Sequence, residues 1–358
     1  MEAKRLRLIV VLGMHRSGTS AVTRGLQVMG VELGDRMMPP VEGNNAKGFW
    51  EDIDLNALNI ELLSALDSDW HHLAPIEPGD VEILRKQGYF LRAVELLRQK
   101  LRNAPIFGFK DPRVAKLLLF WKEVFSHCQF DVSYVLALRN PLSVVKSLSK
   151  RDGLEAEQSY LLWLDHVITA LIGSIGDKRV LVDYDRLMQS PDAELMRISK
   201  CIDLEIDSEK LQIYKTEFLD QGLRHTVFEP NELLLDNACP PIVREVYDAL
   251  LDVASEKITL DDLALRNKQS RWSDEFERLK STLMLVDRLF TEKLIATQTV
   301  AERDVQIINL YQTVAERDVQ IAAHVETVQR IYRSRLWRLT SPLRFFAQLL
   351  SGRSGTSR

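Results

Sequence analysis

Apolar and polar positions follow a strand–helix rhythm through the first two thirds of the chain. Leu8–Leu12 is a continuous apolar run, the pattern of a strand covered on both faces in a parallel sheet. Gly13, His15, Arg16, Ser17, Gly18, Thr19 and Ser20 interrupt it. Val22, Leu26 and Met29 then recur at helical spacing, so a tight glycine-bearing loop leads into a helix. A turn-rich segment with Gly34, Pro39, Pro40, Gly43, Asn44, Asn45 and Gly48 comes next. A helix is expected from near Asp54, with Leu55, Leu58, Leu62, Leu63 and Leu66 inward, and one amphipathic helix from Val81 to Leu101. Strands are expected at 105–109, 132–138 and 180–184. Helices are expected at 117–125, through Val144, Val145 and Leu148, and at 157–172. The pattern predicts a three-layer α/β domain with a central parallel sheet over residues 1–230.

From about Asn231 the rhythm is lost. Residues 231–268 read as a helical connector. Beyond it Gln298–Ile307 and Gln312–Ile321 repeat the same ten residues, fourteen apart, which is two heptads. One seam runs through Leu279, Val286, Lys293, Val300, Ile307, Val314, Ile321 and Val328. A second runs through Leu283, Phe290, Thr297, Asp304, Tyr311, Asp318, Val325 and Tyr332. The spacing predicts a coiled coil over 269–335 and hence a homo-oligomer; the alternative is a single solvated helix. Residues 336–358 form a basic amphipathic tail. From Thr327 onward there are seven arginines and no acidic residue, with Leu336, Trp337, Leu339, Leu343, Phe345, Phe346, Leu349 and Leu350 among them. That mixture suits an anionic membrane surface, or else a protein partner.

Composition changes the picture little. The chain of 358 residues is 46% hydrophobic and 27% charged, ordinary for a globular protein, and its net charge of −4 argues against general nucleic-acid binding. Cys128, Cys201 and Cys239 are odd in number and lack metal-ligand spacing, so neither a disulfide framework nor a zinc site is implied and a reducing compartment fits. The N-terminal apolar run is too short for a signal-peptide core and no stretch is long enough to span a bilayer. A cytoplasmic location, with peripheral attachment through the tail, is the expectation.

The chemistry concentrates in the loop from Gly13 to Ser20. Backbone N–H groups and the positive end of the following helix suit a phosphate or sulfate. Gly13 and Gly18 allow close approach, Ser17, Thr19 and Ser20 add hydroxyls, and Arg16 adds a fixed charge. The glycine spacing is that of a Walker loop, yet Thr19 stands where its lysine belongs. A kinase would also want a strand-end carboxylate for Mg²⁺. The strand 132–138 ends in Arg139 instead, although Asp183 ends another strand. Arg139 at the strand tip and Ser147 two turns into the next helix can grip one phosphate from two sides. Lys110-Asp111-Pro112-Arg113 lies at a third strand end, where α/β sheets place ligands.

The loop with arginine ahead of its second glycine resembles the 5′-phosphosulfate loop of sulfotransferases that use 3′-phosphoadenosine 5′-phosphosulfate (PAPS), in particular the tyrosylprotein and bacterial carbohydrate-type enzymes. Four segments resemble that family in order and context: Gly13–Ser20, Asn44-x-x-x-Gly48-Phe49-Trp50-Glu51 with the KDPR tetrad, Arg139-Asn140-Pro141 with Ser147, and Tyr184-Asp185-Arg186-Leu187 with Pro191. The resemblance covers residues 6–230. It implies a P-loop-like sulfotransferase domain that moves a sulfonate from PAPS to a hydroxyl, here of a glycan, in line and without a metal. Arg16, Ser17, Gly18, Thr19 and Ser20 would hold the 5′-phosphosulfate, and Arg139 and Ser147 the 3′-phosphate. Tyr184 would lie against the adenine, Lys110 would neutralise the transferring sulfonate, and Glu51 would take the acceptor's proton, with Glu42, His71 and His72 as alternative bases. Arg224 and His225 would belong to a late basic loop over the nucleotide. The rival readings are a nucleotide-dependent kinase, a coiled-coil scaffold with a degenerate nucleotide site, and a peptide-tyrosine sulfotransferase, which lacks its expected secretory signal.

Overall fold

The computed structural model describes residues 6–41, 47–102, 104–219, 228 and 230–351. Strand β1 (Arg7–Leu12) leads into α1 (Thr19–Leu26), and α2 (Ile53–Ser64), α3 (Pro78–Lys86) and α4 (Tyr89–Leu101) precede β2 (Ile106–Lys110). Then come α5 (Arg113–Lys116), α6 (Leu118–Cys128), β3 (Asp131–Leu138), α7 (Pro141–Asp152), α8 (Ala156–Gly173) and β4 (Lys178–Asp183). The chain continues with α9 (Tyr184–Gln189), α10 (Pro191–Ile202), α11 (Ser208–Ile213), α12 (Pro230–Leu235), α13 (Pro241–Ala254) and α14 (Leu263–Arg278). It ends in α15 (Lys280–Arg333), α16 (Arg335–Leu339) and α17 (Ser341–Ser351).

The four strands form one parallel sheet in the order β2-β1-β3-β4. Both faces are buried, as the continuous apolar runs require. Ile9, Val11, Val135, Ala137, Val180 and Val182 face α1 and α10. Leu12, Leu136, Leu138 and Leu181 face Val167, Ala170 and Leu171 of α8. The chain leaves β1 toward β2 on one side and later adds β3 and β4 on the other. The carboxyl ends of β1 and β3 therefore flank the switch point, where open α/β sheets bind ligands.

Two compact units result, Met1–Asp287 and Arg288–Arg358. In the first, Val243, Val246, Leu250, Trp272 and Phe276 of α13 and α14 are buried core residues. In the second, the apolar residues of α15 beyond the half-buried Phe290 are exposed.

Local chemistry explains where the elements stop. Asp52 caps α2, its Oδ1 accepting from Asp54 N and Leu55 N at 3.0 and 3.2 Å, while Asn140 and Pro141 start α7. The single helix expected over Val81–Leu101 is two. Gly88, at φ 87°, breaks it, and both halves keep their apolar residues on one stripe, which hid the break. The strand expected over 180–184 ends one residue early. The Asp183 carboxylate accepts from Arg186 N at 2.9 Å, so Tyr184 opens α9.

Candidate functional site

The loop after β1 is tightly wound. A Cβ on Gly13 would stand 2.8 Å from Ala137 O of β3, so only glycine lets the loop lie across the neighbouring strand. Arg16 sits at φ 68°, in the left-handed region that non-glycine residues enter at a cost, and Gly18 follows at φ 78° as the N-cap of α1. Ala21 N and Val22 N both bond Gly18 O, so the N–H groups of Thr19 and Ser20 precede the first bonds inside the helix. The side chains of Ser17 and Thr19 are buried.

Arg16 and Arg139 converge on this loop. Arg16 Nε donates to Ser147 Oγ at 2.7 Å, and Arg139 Nη1 donates to Arg16 O at 2.9 Å. The Arg139 guanidinium lies 4.7 Å from the centre of the Tyr184 ring. That ring in turn covers Gly18, since a Cβ there would come within 2.1 Å of Tyr184 Cδ2. Trp163 Nε1 of α8 holds Arg139 O at 3.2 Å. Burial, then the charges of Arg151 and Arg139, pulls the pKa of Arg16 down.

A second cluster joins α2 to the end of β2. Lys110 Nζ donates to Glu51 Oε1 at 2.6 Å and to Ser20 Oγ at 3.3 Å, reaching the loop after β1. Asn56 Nδ2 holds Glu51 Oε2 at 2.8 Å. Glu51 and Lys110 are both buried. Burial raises the pKa of Glu51, against the opposing pull of Lys110. Asp111 serves Arg113 rather than Lys110: its Oδ1 accepts from Arg113 N and Nη1 at 2.9 and 3.1 Å. Its Oδ2 accepts from Asn56 and Asn59 at 3.2 and 3.0 Å, and Asn59 Oδ1 accepts from Trp121 Nε1. Asn56 and Asn59, one turn apart on an otherwise leucine-rich face, were the available signal for this network.

A row of aromatic rings in tilted and edge-on contact flanks the loop. His15 packs on Trp70 at 4.6 Å between ring centres, Trp70 on His71 at 5.7 Å, and His71 on His72 at 4.9 Å. The Arg151 guanidinium lies 5.6 Å from the Trp70 ring. Burial, with Arg113, Arg151 and Lys110 nearby, holds the His15 imidazole neutral well below its usual pKa, and its Nε2 is buried without a partner among the described residues. The backbone under the row is anchored from three elements. Gln158 Nε2 of α8 donates to His71 O, Lys116 Nζ to His72 O, and Leu73 N and Ala74 N both donate to Asp287 of α15 at 2.7 Å.

The structure thus gathers Arg16, Gly18, Arg139, Ser147 and Tyr184 in one cluster and Ser20, Glu51 and Lys110 in a second that touches it. His71 and His72 stand in the aromatic row. Glu42, Arg224 and His225 lie outside the described residues. Among the described residues, Asp35, Asp52 and Asp54 could group around a metal, but Lys100 Nζ already occupies their centre at 2.6–2.8 Å. No described helix is long and apolar enough to cross a membrane, and the three cysteines are unpaired.

No family model matches the chain, and no curated protein matches it in sequence. Among solved structures it is similar to the sulfotransferase domain from the Synechococcus PCC 7002 olefin synthase, at 15% identity over 77% of this chain and 97% of that one, with a TM-score of 0.37. It is similar to the sulfotransferase domain from the curacin biosynthetic pathway at 15% identity, over 77% and 99%, with a TM-score of 0.36. Sulfotransferase STF9 from Mycobacterium avium is 17% identical over 63% of this chain and 70% of its own, with a TM-score of 0.33. These likenesses are remote in sequence and in shape, and they assign no activity to this chain.

Proposed function

We propose that the chain is a PAPS-dependent sulfotransferase acting on a hydroxyl of a glycan. The observation that carries the reading is the joining of the loop after β1 to the end of β3, where Arg16 bonds Ser147 and Arg139 bonds Arg16 O. A donor set of this kind fits a ligand with two separate phosphate positions. The loop amides, Arg16, Ser17, Thr19 and Ser20 would hold the 5′-phosphosulfate, and Arg139 and Ser147 the 3′-phosphate. Tyr184, lying between Gly18 and the Arg139 guanidinium, borders the space expected for the adenine.

Glu51 would accept the proton of the acceptor hydroxyl as its oxygen bonds to sulfur and the sulfur–phosphate oxygen bond breaks. The leaving bisphosphate keeps the electron pair, and Lys110 with Arg16 would offset the charge that grows on the transferring group. Lys110 already spans Glu51 and Ser20, a position that supports this division of labour. Asp183 caps α9 through its Oδ1, a structural use that takes support from a kinase reading.

The test is isothermal titration of the full chain with 3′-phosphoadenosine 5′-phosphate, and separately with ATP and Mg²⁺, on wild type and Arg139→Ala. The expected result is metal-independent binding of the bisphosphate that is lost in the variant. Preference for ATP with Mg²⁺ would favour a kinase. Binding of neither would favour the scaffold reading.

A further inference from the structure

Residues 332–344 fold around one indole. Ser334 caps α16, its Oγ accepting from Trp337 N at 3.2 Å. Tyr332 packs edge-on against Trp337 at 5.1 Å, and the Arg344 guanidinium stacks on the same indole at 3.6 Å. Arg344 also donates to Thr340 Oγ1 at 2.7 Å. Trp337 is therefore the pivot that fixes α16 against α17.

Around this pivot the large apolar side chains face water. Leu336, Leu339, Leu343, Phe345 and Phe346 are 63–77% exposed. They are not scattered. Leu336 and Leu339 are one turn apart on α16, as are Leu343 and Phe346 on α17, so each helix carries an apolar ridge. Arg335 and Arg338 are likewise one turn apart, and Arg344 and Gln348 share the other side of α17. From Thr327 onward the sequence has seven arginines and no acidic residue, although the whole chain is net negative; five of the seven lie within 330–351, and of these Arg330 pairs with Glu326 at 3.7 Å.

We propose that residues 330–351 dock on an anionic lipid bilayer, with α16 and α17 lying in its interface. The apolar ridges would enter the acyl boundary while the arginines meet lipid phosphates, and Trp337 would sit at the headgroup level. Charge complementarity favours this occupant over a neutral protein groove. Exposed Leu and Phe in this number set it apart from a nucleic-acid surface, where cations and stacking platforms do the binding.

The experiment is cosedimentation of the full chain with phosphatidylcholine vesicles, with and without phosphatidylglycerol, at low and high salt. Two double variants are compared: Leu343→Glu/Phe346→Glu keeps the arginines, and Arg335→Gln/Arg338→Gln keeps the ridges. Circular dichroism checks that helicity is unchanged in each. Wild type should bind only the phosphatidylglycerol vesicles, and more weakly in high salt. Each variant should weaken that binding by about tenfold or more. Wild type remaining in the supernatant with both vesicles, as a tip built for an acidic protein would, overturns the proposal. So does equal binding to both vesicles, or unchanged binding of the two variants.

Discussion

Arg16 Nε and Ser147 Oγ lie 2.7 Å apart, although 131 residues separate them in the chain. The bond couples the left-handed turn of the loop after β1 to the second turn of α7. Ser147→Ala removes it without creating a large cavity. The affinity for 3′-phosphoadenosine 5′-phosphate should fall by about tenfold, the worth of one hydrogen bond to a charged group. The melting temperature should stay close to wild type. Titration calorimetry beside thermal denaturation separates the two effects, and an unchanged affinity would remove Ser147 from the phosphate site.

Glu51 has both oxygens engaged, one by Lys110 and one by Asn56, and burial raises its pKa. Glu51→Gln preserves size and leaves an acceptor for Lys110. Turnover should drop by roughly 10²–10⁴-fold while bisphosphate affinity is retained. A base must be unprotonated to act, so the acid limb of wild-type turnover should lie above the usual glutamate range. Undiminished turnover in Glu51→Gln would move the base elsewhere.

Asp183 gives a pH dependence with a definite sign. Burial pushes its carboxyl up to about 6, and its Oδ2 has no partner among the described residues. The folded state therefore holds the proton more tightly than the unfolded chain does. The stability this group contributes is present below pH 4 and is lost as pH rises through 6. Asp183→Asn keeps a capping oxygen and cannot ionise. Its stability relative to wild type should grow between pH 4 and pH 7 by up to about 3 kcal/mol, a shift of roughly two pKa units. Urea unfolding at a series of pH values measures it, and a flat difference would exclude the buried charge as the cause.

Much of this architecture was legible because its signals are local. Each strand carries a short run of mostly apolar residues, and the loop after β1 announces itself by two glycines and five polar residues in eight positions. The places of Arg139 at a strand end and Ser147 in the next helix were legible, but the bond from Arg16 to Ser147 was not, because 131 residues separate the two. The pairing of Lys110 with Glu51 was not legible either, since nothing local says which strand-end cation meets which loop carboxylate. Gly88 went unseen because α3 and α4 carry one apolar stripe between them. Asp287 was invisible for a simpler reason: its partners Leu73 and Ala74 are more than two hundred residues away, and they bond through backbone amides that carry no sequence signature.

The repeat in α15 makes its own prediction. Val300, Ile307, Val314, Ile321 and Val328 recur every seven residues, and each is about half exposed. We propose that these seams pair between copies of the chain. Analytical ultracentrifugation should give a multiple of the chain mass for wild type and a single chain for Val314→Asp/Ile321→Asp. A monomeric wild type at micromolar concentration would leave α15 as a solvated helix.

The carboxylate of Asp287 has a bearing on the order in which the protein can be finished. The ribosome makes the loop after β1, both arginines and the Trp70–His72 row long before it reaches α15. Until then Leu73 N and Ala74 N lack the acceptor that both use in the folded chain. A chain stopped before Asp287 would leave those two amides to water, while Gln158 and Lys116 would still hold His71 O and His72 O.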